Sequence, residues 1–206
     1  MEIKKIISKY LDSNTFVVKK DGKCLIIDAG ADIAAIDSEV NENKVVAILL
    51  THGHYDHVIN SERLAEEYNC KIYINENAEK TLLNPKLNYG ETFRVENMND
   101  FVFTRDDCEL LLENFNVKVF HTPGHSDCCN SYLIEENLFS GDFLFSGGIG
   151  RVDLLTSDVN DMIKSLDKID SVDFKNCYCG HYDDTDKTRV NQVVKVYKKF
   201  LEREKK

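Results

Sequence analysis

The chain has 206 residues, enough to bury a core without disulfide staples and too few for two full domains, so a single domain over 1–206 is expected. Its 36 acidic and 26 basic residues leave a formal charge of −10 at pH 7, a field that repels phosphate backbones and anionic lipid. Hydrophobic residues make up 42% of the chain and are spread along all of it, which excludes disorder.

The opening MEIKKIISKYLDSN lacks an apolar secretory stretch and a small-residue cleavage site, and the longest aliphatic run, 45–50, is too short to cross a bilayer. A cytoplasmic protein is therefore expected. The seven cysteines, an odd number, fit reduced thiols better than a disulfide framework.

In chain order, extended segments are expected at 3–8, 15–20 and 23–28, followed by a loop and then the strand 45–50, whose unbroken apolar run predicts cover on both faces. Leu64, Ala65 and Tyr68 fall at helical spacing, and 71–75 reads as a strand. Strands are expected at 101–104, 108–113 and 115–121, the last with period-two alternation of Phe115, Val117 and Val119. The segments 131–135 and 138–140 read as a hairpin turning at Glu136-Asn137, and both prolines, Pro85 and Pro123, are expected in loops. Two apolar stripes close the chain: Val159, Met162, Ile163, Leu166 and Ile169, then Val190, Val193, Val194, Tyr197, Phe200 and Leu201. Such stripes need sheets to cover, which predicts helices packed on the outside of β-sheets.

The chemistry concentrates in Thr51-His52-Gly53-His54-Tyr55-Asp56-His57, directly after the apolar strand. Residues two apart in extended backbone point the same way, so His52 and His54 can converge on one ion; a helix starting near Asp56 would project Asp56 and His57 toward a neighbouring point. Imidazole and carboxylate at this density suit zinc, and also iron or manganese. Three further candidates stand at apparent strand ends beside small or turn-forming residues: His125 after Thr122-Pro123-Gly124, Asp142 after Ser140-Gly141, and His181 after Cys179-Gly180. The remaining histidine, His121, and the pairs Cys128-Cys129 and Cys177/Cys179 read as structural.

This set, His52-Gly53-His54-Tyr55-Asp56-His57 followed by His125, Asp142 and His181, resembles the metallo-β-lactamase superfamily. The likeness extends from Asn14-Thr15-Phe16 through Ile27-Asp28-Ala29-Gly30 to His181. It implies an α/β fold, a four-layer αβ/βα sandwich of mixed sheets with helices on the outer faces. It also implies two divalent metal ions, zinc foremost: His52, His54 and His125 on one, Asp56, His57 and His181 on the other, and Asp142 bridging. Asp28 would support the metal loop from behind by fixing a histidine tautomer. Two adjacent dications lower the pKa of a shared water and so supply a hydroxide nucleophile, with Asp56 both ligand and orienter of that water.

Gly150-Arg151-Val152-Asp153 resembles the G-R-x-D signature of the glyoxalase II-like and persulfide dioxygenase-like branches. The implied activity is a metal-dependent hydrolase acting on a small thioester or ester. Arg151 is the candidate contact for a substrate carboxylate, with a brace against Asp153 as its competing role. His181 lies 25 residues before the last residue, too few for the helical domain with which glyoxalase II enzymes grip glutathione. The rivals are a mononuclear iron persulfide dioxygenase using His52, His125 and Asp142, a lactonase, and a degenerate metal-binding module, which would be missing ligands. The expected partner is a small-molecule substrate, with no nucleic acid and no membrane, and no sequence feature specifies an oligomeric state.

Overall fold

A computed structural model describes residues 1–9, 11–105 and 107–204; residues 10, 106, 205 and 206 of the expected 1–206 domain lie outside the described set. The first half runs β1 (Glu2–Ile7), β2 (Asn14–Lys20), β3 (Lys23–Ile27), α1 (Ile33–Val40), β4 (Lys44–Leu49), α2 (Tyr55–Val58), α3 (Ser61–Tyr68), β5 (Lys71–Asn75), α4 (Ala78–Leu82), α5 (Pro85–Asn88) and β6 (Phe101–Thr104). Its strands form a six-stranded sheet in sequence order, antiparallel from β1 to β3 and parallel from β3 to β6. Asp21 and Gly22, both left-handed, make the two-residue turn between β2 and β3.

The second half runs β7 (Cys108–Leu112), β8 (Phe115–His121), β9 (Asn130–Ile134), β10 (Asn137–Gly141), α6 (Val159–Asp170), β11 (Asn176–Cys179), β12 (Thr185–Asp186) and α7 (Lys187–Glu204). It forms a second six-stranded sheet ordered β12-β11-β10-β9-β8-β7, in which only β10 and β11 pair in parallel.

Side-chain alternation explains the layers. Along β3, Cys24 and Ile26 join the core under α1 and α3, while Leu25 and Ile27 face the other sheet. From that other sheet Phe115, Val117, Val119, Tyr132, Ile134 and Phe139 meet them in a central core. A third core, with Leu138, Phe143 and Cys177, lies under the apolar stripes of α6 and α7. The result is the four-layer sandwich with helices outside, and the unbroken apolar run of β4 is apolar because both of its faces are covered.

Local expectations differ at several points. The β9–β10 turn falls at Glu135-Glu136 rather than one residue later: Glu135 takes the left-handed conformation and Asn137 pairs opposite Ile134. Pro85 opens α5 at a position whose N–H would have no helical partner, and Asn84 caps it through Lys86 N. Helices α1 and α5 replace expected loops, and α4 lies where no element was expected; all are eight residues or shorter, so their apolar spacing leaves little periodic signal.

Among the described residues, no helix is long and apolar enough to cross a membrane. The strands β3, β4, β10 and β11 all end at one edge of the sandwich, and the chain just beyond them places Asp28, the 51–57 segment, Asp142 and His181 along that edge. Two backbone bonds stitch the sheets together there, Asn130 N to Thr51 O and Asn14 N to Gly180 O, each 2.7 Å.

Candidate metal centre

After β4 the chain stays extended through His54, whose φ and ψ are −71° and 146°, and α2 starts at Tyr55. His52 and His54 therefore share a direction, and Asp56 and His57 project from the first turn of a helix. The loop after β8 adds His125, the end of β10 adds Asp142, and the end of β11 adds His181. All seven expected side chains come together; six are buried and His181 is half-buried.

They form overlapping groups whose ligand atoms lie within 4.8 Å of one another: His52, His54 and His125; His52, His57 and Asp142; Asp56, His57 and His181. In the first, His54 Nδ1 lies 3.0 Å from both His52 Nε2 and His125 Nε2. In the third, Asp56 Oδ2 is 3.3 Å from His57 Nε2 and 3.2 Å from His181 Nε2. Asp142 stands between them, its Oδ2 3.3 Å from His181 Nε2 and 3.7 Å from His125 Nε2.

The outer nitrogens show which atoms face the centre bare. His125 Nδ1 is 3.1 Å from the Arg151 carbonyl, which only accepts, so Nδ1 carries the proton. His57 Nδ1 donates likewise to Asp28 Oδ2 at 2.8 Å. Thr51 Oγ1 gives its own proton to Asp28 Oδ2 at 2.8 Å and accepts from His52 Nδ1 at 3.1 Å. In their neutral forms, three Nε2 lone pairs thus point inward beside two carboxylates, and Asp142 Oδ1 is buried with no hydrogen-bond partner. An electron-rich cluster of this kind fits divalent cations.

Protonation follows the same geometry. Burial pushes His52, His54 and His125 down, His54 to about 3. Burial also opposes charge on His57 and His181, but Asp56, Asp142 and Asp28 outweigh it at His57, and contacts with Asp142 and Asp56 raise His181 to about 9. Both carboxylates are held below their ordinary range: burial raises them, but the His57 charge and the neighbouring histidines prevail.

Glycine at 180 and 150 has a steric cause. A Cβ at Gly180 would lie 2.2 Å from Asp142 Oδ1, and one at Gly150 would lie 1.9 Å from the Asp142 carbonyl. Arg151 itself forms a two-pronged pair with Asp153, at 2.9 and 3.0 Å, with its side chain largely exposed.

Asp28 stands as a carboxylate behind the histidines, as the resemblance implies, and also takes a left-handed turn conformation with φ 59°. His121 Nε2 donates to the Asp127 carbonyl at 2.8 Å and joins none of the metal-competent groups. Cys128, Cys129, Cys177 and Cys179 are buried packing residues, and burial pushes the Cys128 thiol up to about 11. Sequence reasoning missed Thr51 and the Arg151 carbonyl as orienting groups. It also missed Tyr89, whose ring lies 5.2 Å from His54 and whose hydroxyl accepts from Leu155 N at 3.0 Å. Thr51 alone carried a signal, as the polar residue opening the histidine motif.

The chain is similar to several known proteins. A probable metallo-hydrolase of Bacillus subtilis is 31% identical over 163 residues, covering 76% of this chain and 77% of its own. A hydroxyacylglutathione hydrolase of Haemophilus influenzae is 30% identical over 149 residues, covering 68% and 70%. The crystal structure of the B3 metallo-beta-lactamase BLEG-1 superposes with a TM-score of 0.83 at 28% identity, covering 91% of this chain and 95% of that one. Residues 9–181, which carry every member of the cluster, match the family model for these proteins, and the chain belongs to the metallo-beta-lactamase superfamily.

Proposed function

We propose that this protein is a glyoxalase II-like hydrolase of a small thioester or ester, working as one domain in the cytoplasm with two divalent ions, zinc foremost. The observation that carries this reading is the inward set of the Nε2 atoms of His52, His57 and His125 with two carboxylates, the outer Nδ1 atoms being fixed by acceptors around the cluster. His52, His54 and His125 would hold one ion, Asp56, His57 and His181 the other, with Asp142 shared. Two such cations, when bound, bring the pKa of a shared water toward neutrality and polarise a carbonyl, so that no serine or cysteine nucleophile is needed. Asp56 stays ionised among its neighbours and accepts a hydrogen bond from the attacking water, which orients it. The Tyr89 ring lies edge-on to His54, and its hydroxyl accepts from Leu155 N. The 30% identity to a hydroxyacylglutathione hydrolase supports the thioester class.

The test is metal analysis of the purified protein together with a hydrolysis panel of thioesters, esters, lactones and a β-lactam, and an oxygen-uptake assay with glutathione persulfide. Two ions per chain with thioester or ester turnover is the expected result. One iron per chain with oxygen consumption would replace the hydrolase by a persulfide dioxygenase, and inactivity of the fully metallated protein on every substrate would leave a metal-binding module.

A further inference from the structure

Two clefts open beside the centre, and Tyr182 lines both. One, of about 380 Å³, runs from His181 past Ile7, Leu11 and Asn14. The other, of about 330 Å³, is lined by Phe145, Ile149 and the 146–148 backbone, with Arg151 at its edge. Ile7, Leu11 and Tyr182 are 61%, 74% and 75% exposed, a grouping of large apolar side chains at the mouth of a site that marks a binding surface.

Tyr182 is held there against its backbone preference. Its φ is 62°, a left-handed conformation unusual for an aromatic residue. The Tyr182 carbonyl accepts from Asn14 Nδ2 at 3.1 Å and from Lys5 Nζ at 3.4 Å, and its ring lies edge-on to Phe145 at 5.5 Å. The side chain so fixed forms a ridge between the clefts, directly after His181.

The cations lining these clefts already have carboxylate partners. Apart from His181, which belongs to the candidate metal centre, Lys5 is the only cation lining the larger cleft among the described residues; it pairs with Asp184 at 3.1 Å and donates to the Tyr182 carbonyl. Asp12 and Asp183 line the same cleft, both exposed. In the smaller cleft Arg151 is the only lining cation among the described residues, and Asp153 occupies its guanidinium with two bonds. Arg189, which reaches the Ser146 carbonyl from behind, commits Nε there and Nη1 to Gln192. An anionic group entering the larger cleft therefore meets apolar surface, two carboxylates and a lysine that already has a partner, and one entering the smaller cleft meets apolar surface and an arginine already paired with Asp153.

We propose, resting on the hydrolase reading above, that the substrate is a thioester or ester with no negative charge on the half lying against Ile7, Leu11 and Tyr182. A leaving thiol with carboxylates, as in glutathione, is selected against. The bond broken is still the acyl–sulfur or acyl–oxygen bond, with water supplying hydroxyl to the acyl group and a proton to the leaving group.

The experiment compares one acyl group carried on N-acetylcysteamine, which is uncharged, and on glutathione, with the metal-loaded full chain. The uncharged thioester is expected to have the higher kcat/KM by about tenfold or more, the scale on which cleft fields act on charged ligands, with the gap narrowing in high salt. In the double variant Asp12→Asn/Asp183→Asn the ratio should move toward the glutathione thioester; both sites are exposed, and asparagine tolerates the left-handed backbone at position 12. Binding of N-acetyl-S-methylcysteamine and S-methylglutathione by calorimetry reads the same preference with no bond to cleave. Wild-type preference for the glutathione compound in turnover or binding, or a ratio unmoved in the double variant, would overturn the proposal. Absence of turnover on both thioesters would remove the thioester class from the hydrolase reading, while the calorimetry would still decide for or against an anion-averse cleft.

Discussion

Asp28 Oδ2 accepts from His57 Nδ1 and from Thr51 Oγ1, both at 2.8 Å, and through Thr51 the same oxygen reaches His52. One carboxylate thus sets the tautomer of two histidines that serve different halves of the centre. Its other oxygen accepts from Thr51 N at 2.7 Å and anchors the start of the motif to the end of β3. Substituting Asp28→Ala should weaken metal affinity by roughly 10–100-fold and cost about 1–3 kcal/mol of stability through the unpaired Thr51 N–H. Asp28→Asn can still accept from Thr51 N but presents a donor toward His57, so its metal affinity should fall with a smaller loss of stability. Competition with a chromophoric chelator, alongside thermal unfolding, measures both; unchanged affinity in the two variants would remove Asp28 from this role.

His54 is buried, yet its neighbours are His52, His125 and the Tyr89 ring rather than any of the three apolar cores. His54→Ala is expected to abolish turnover, a larger effect than the roughly 10–100-fold typical of an outer partner, while cooperative unfolding is retained. Steady-state assays and circular dichroism check this, and turnover persisting in the variant would count heavily against the proposed centre.

Protons and metal compete at His57 and His181. In the metal-free protein His181 titrates near 9 and His57 well above its usual range, so both are charged at pH 7.5. Cation uptake at that pH should release protons, visible with an indicator dye in weak buffer, and affinity should rise from pH 7 toward 9. The sign for stability is opposite. A histidine whose folded pKa is raised stabilises the fold fully below about 6.5, its unfolded value, and that contribution is lost as pH rises through about 9. The metal-free protein should therefore melt at lower temperature at pH 9 than at pH 7; a flat profile together with no proton release would contradict the paired charges.

Gly180→Ala tests the close approach at the end of β11. The new methyl would need the space of Asp142 Oδ1, so the carboxylate must move or the strand end must shift. Overpacking of this kind costs about 1–3 kcal/mol. Urea denaturation should register that loss, and metal content after dialysis should fall. A variant with wild-type stability and metal content would show the strand end to be softer than its packing implies.

Much of the architecture was legible because burial leaves periodic traces. The alternation in 115–121 and the stripes of α6 and α7 each report a surface facing a core, and the unbroken run before the histidine motif reports a strand covered on both faces. Short elements left weaker traces. Helix α1 buries only Ile36 and Val40, too few positions to mark a period, and the β9–β10 turn shifted by one because the backbone of Glu135, rather than residue type, sets the register.

By itself the sequence determined the donor inventory: seven histidine and aspartate side chains in a fixed order, with spacing that makes His52 and His54 point together. It could not show that residues up to 129 positions apart in the chain share one cluster, because that depends on four strands ending at one edge of the sandwich. Nor could it show which nitrogen of each histidine faces inward, since that is decided by acceptors from other parts of the chain, Asp28 and the Arg151 carbonyl. Hydrogen bonds and ion pairs are satisfied by proximity in space. Read alone in the chain, Arg151 has two roles, a contact for a substrate carboxylate and a brace against Asp153, and the tertiary structure shows the bracing pair in place.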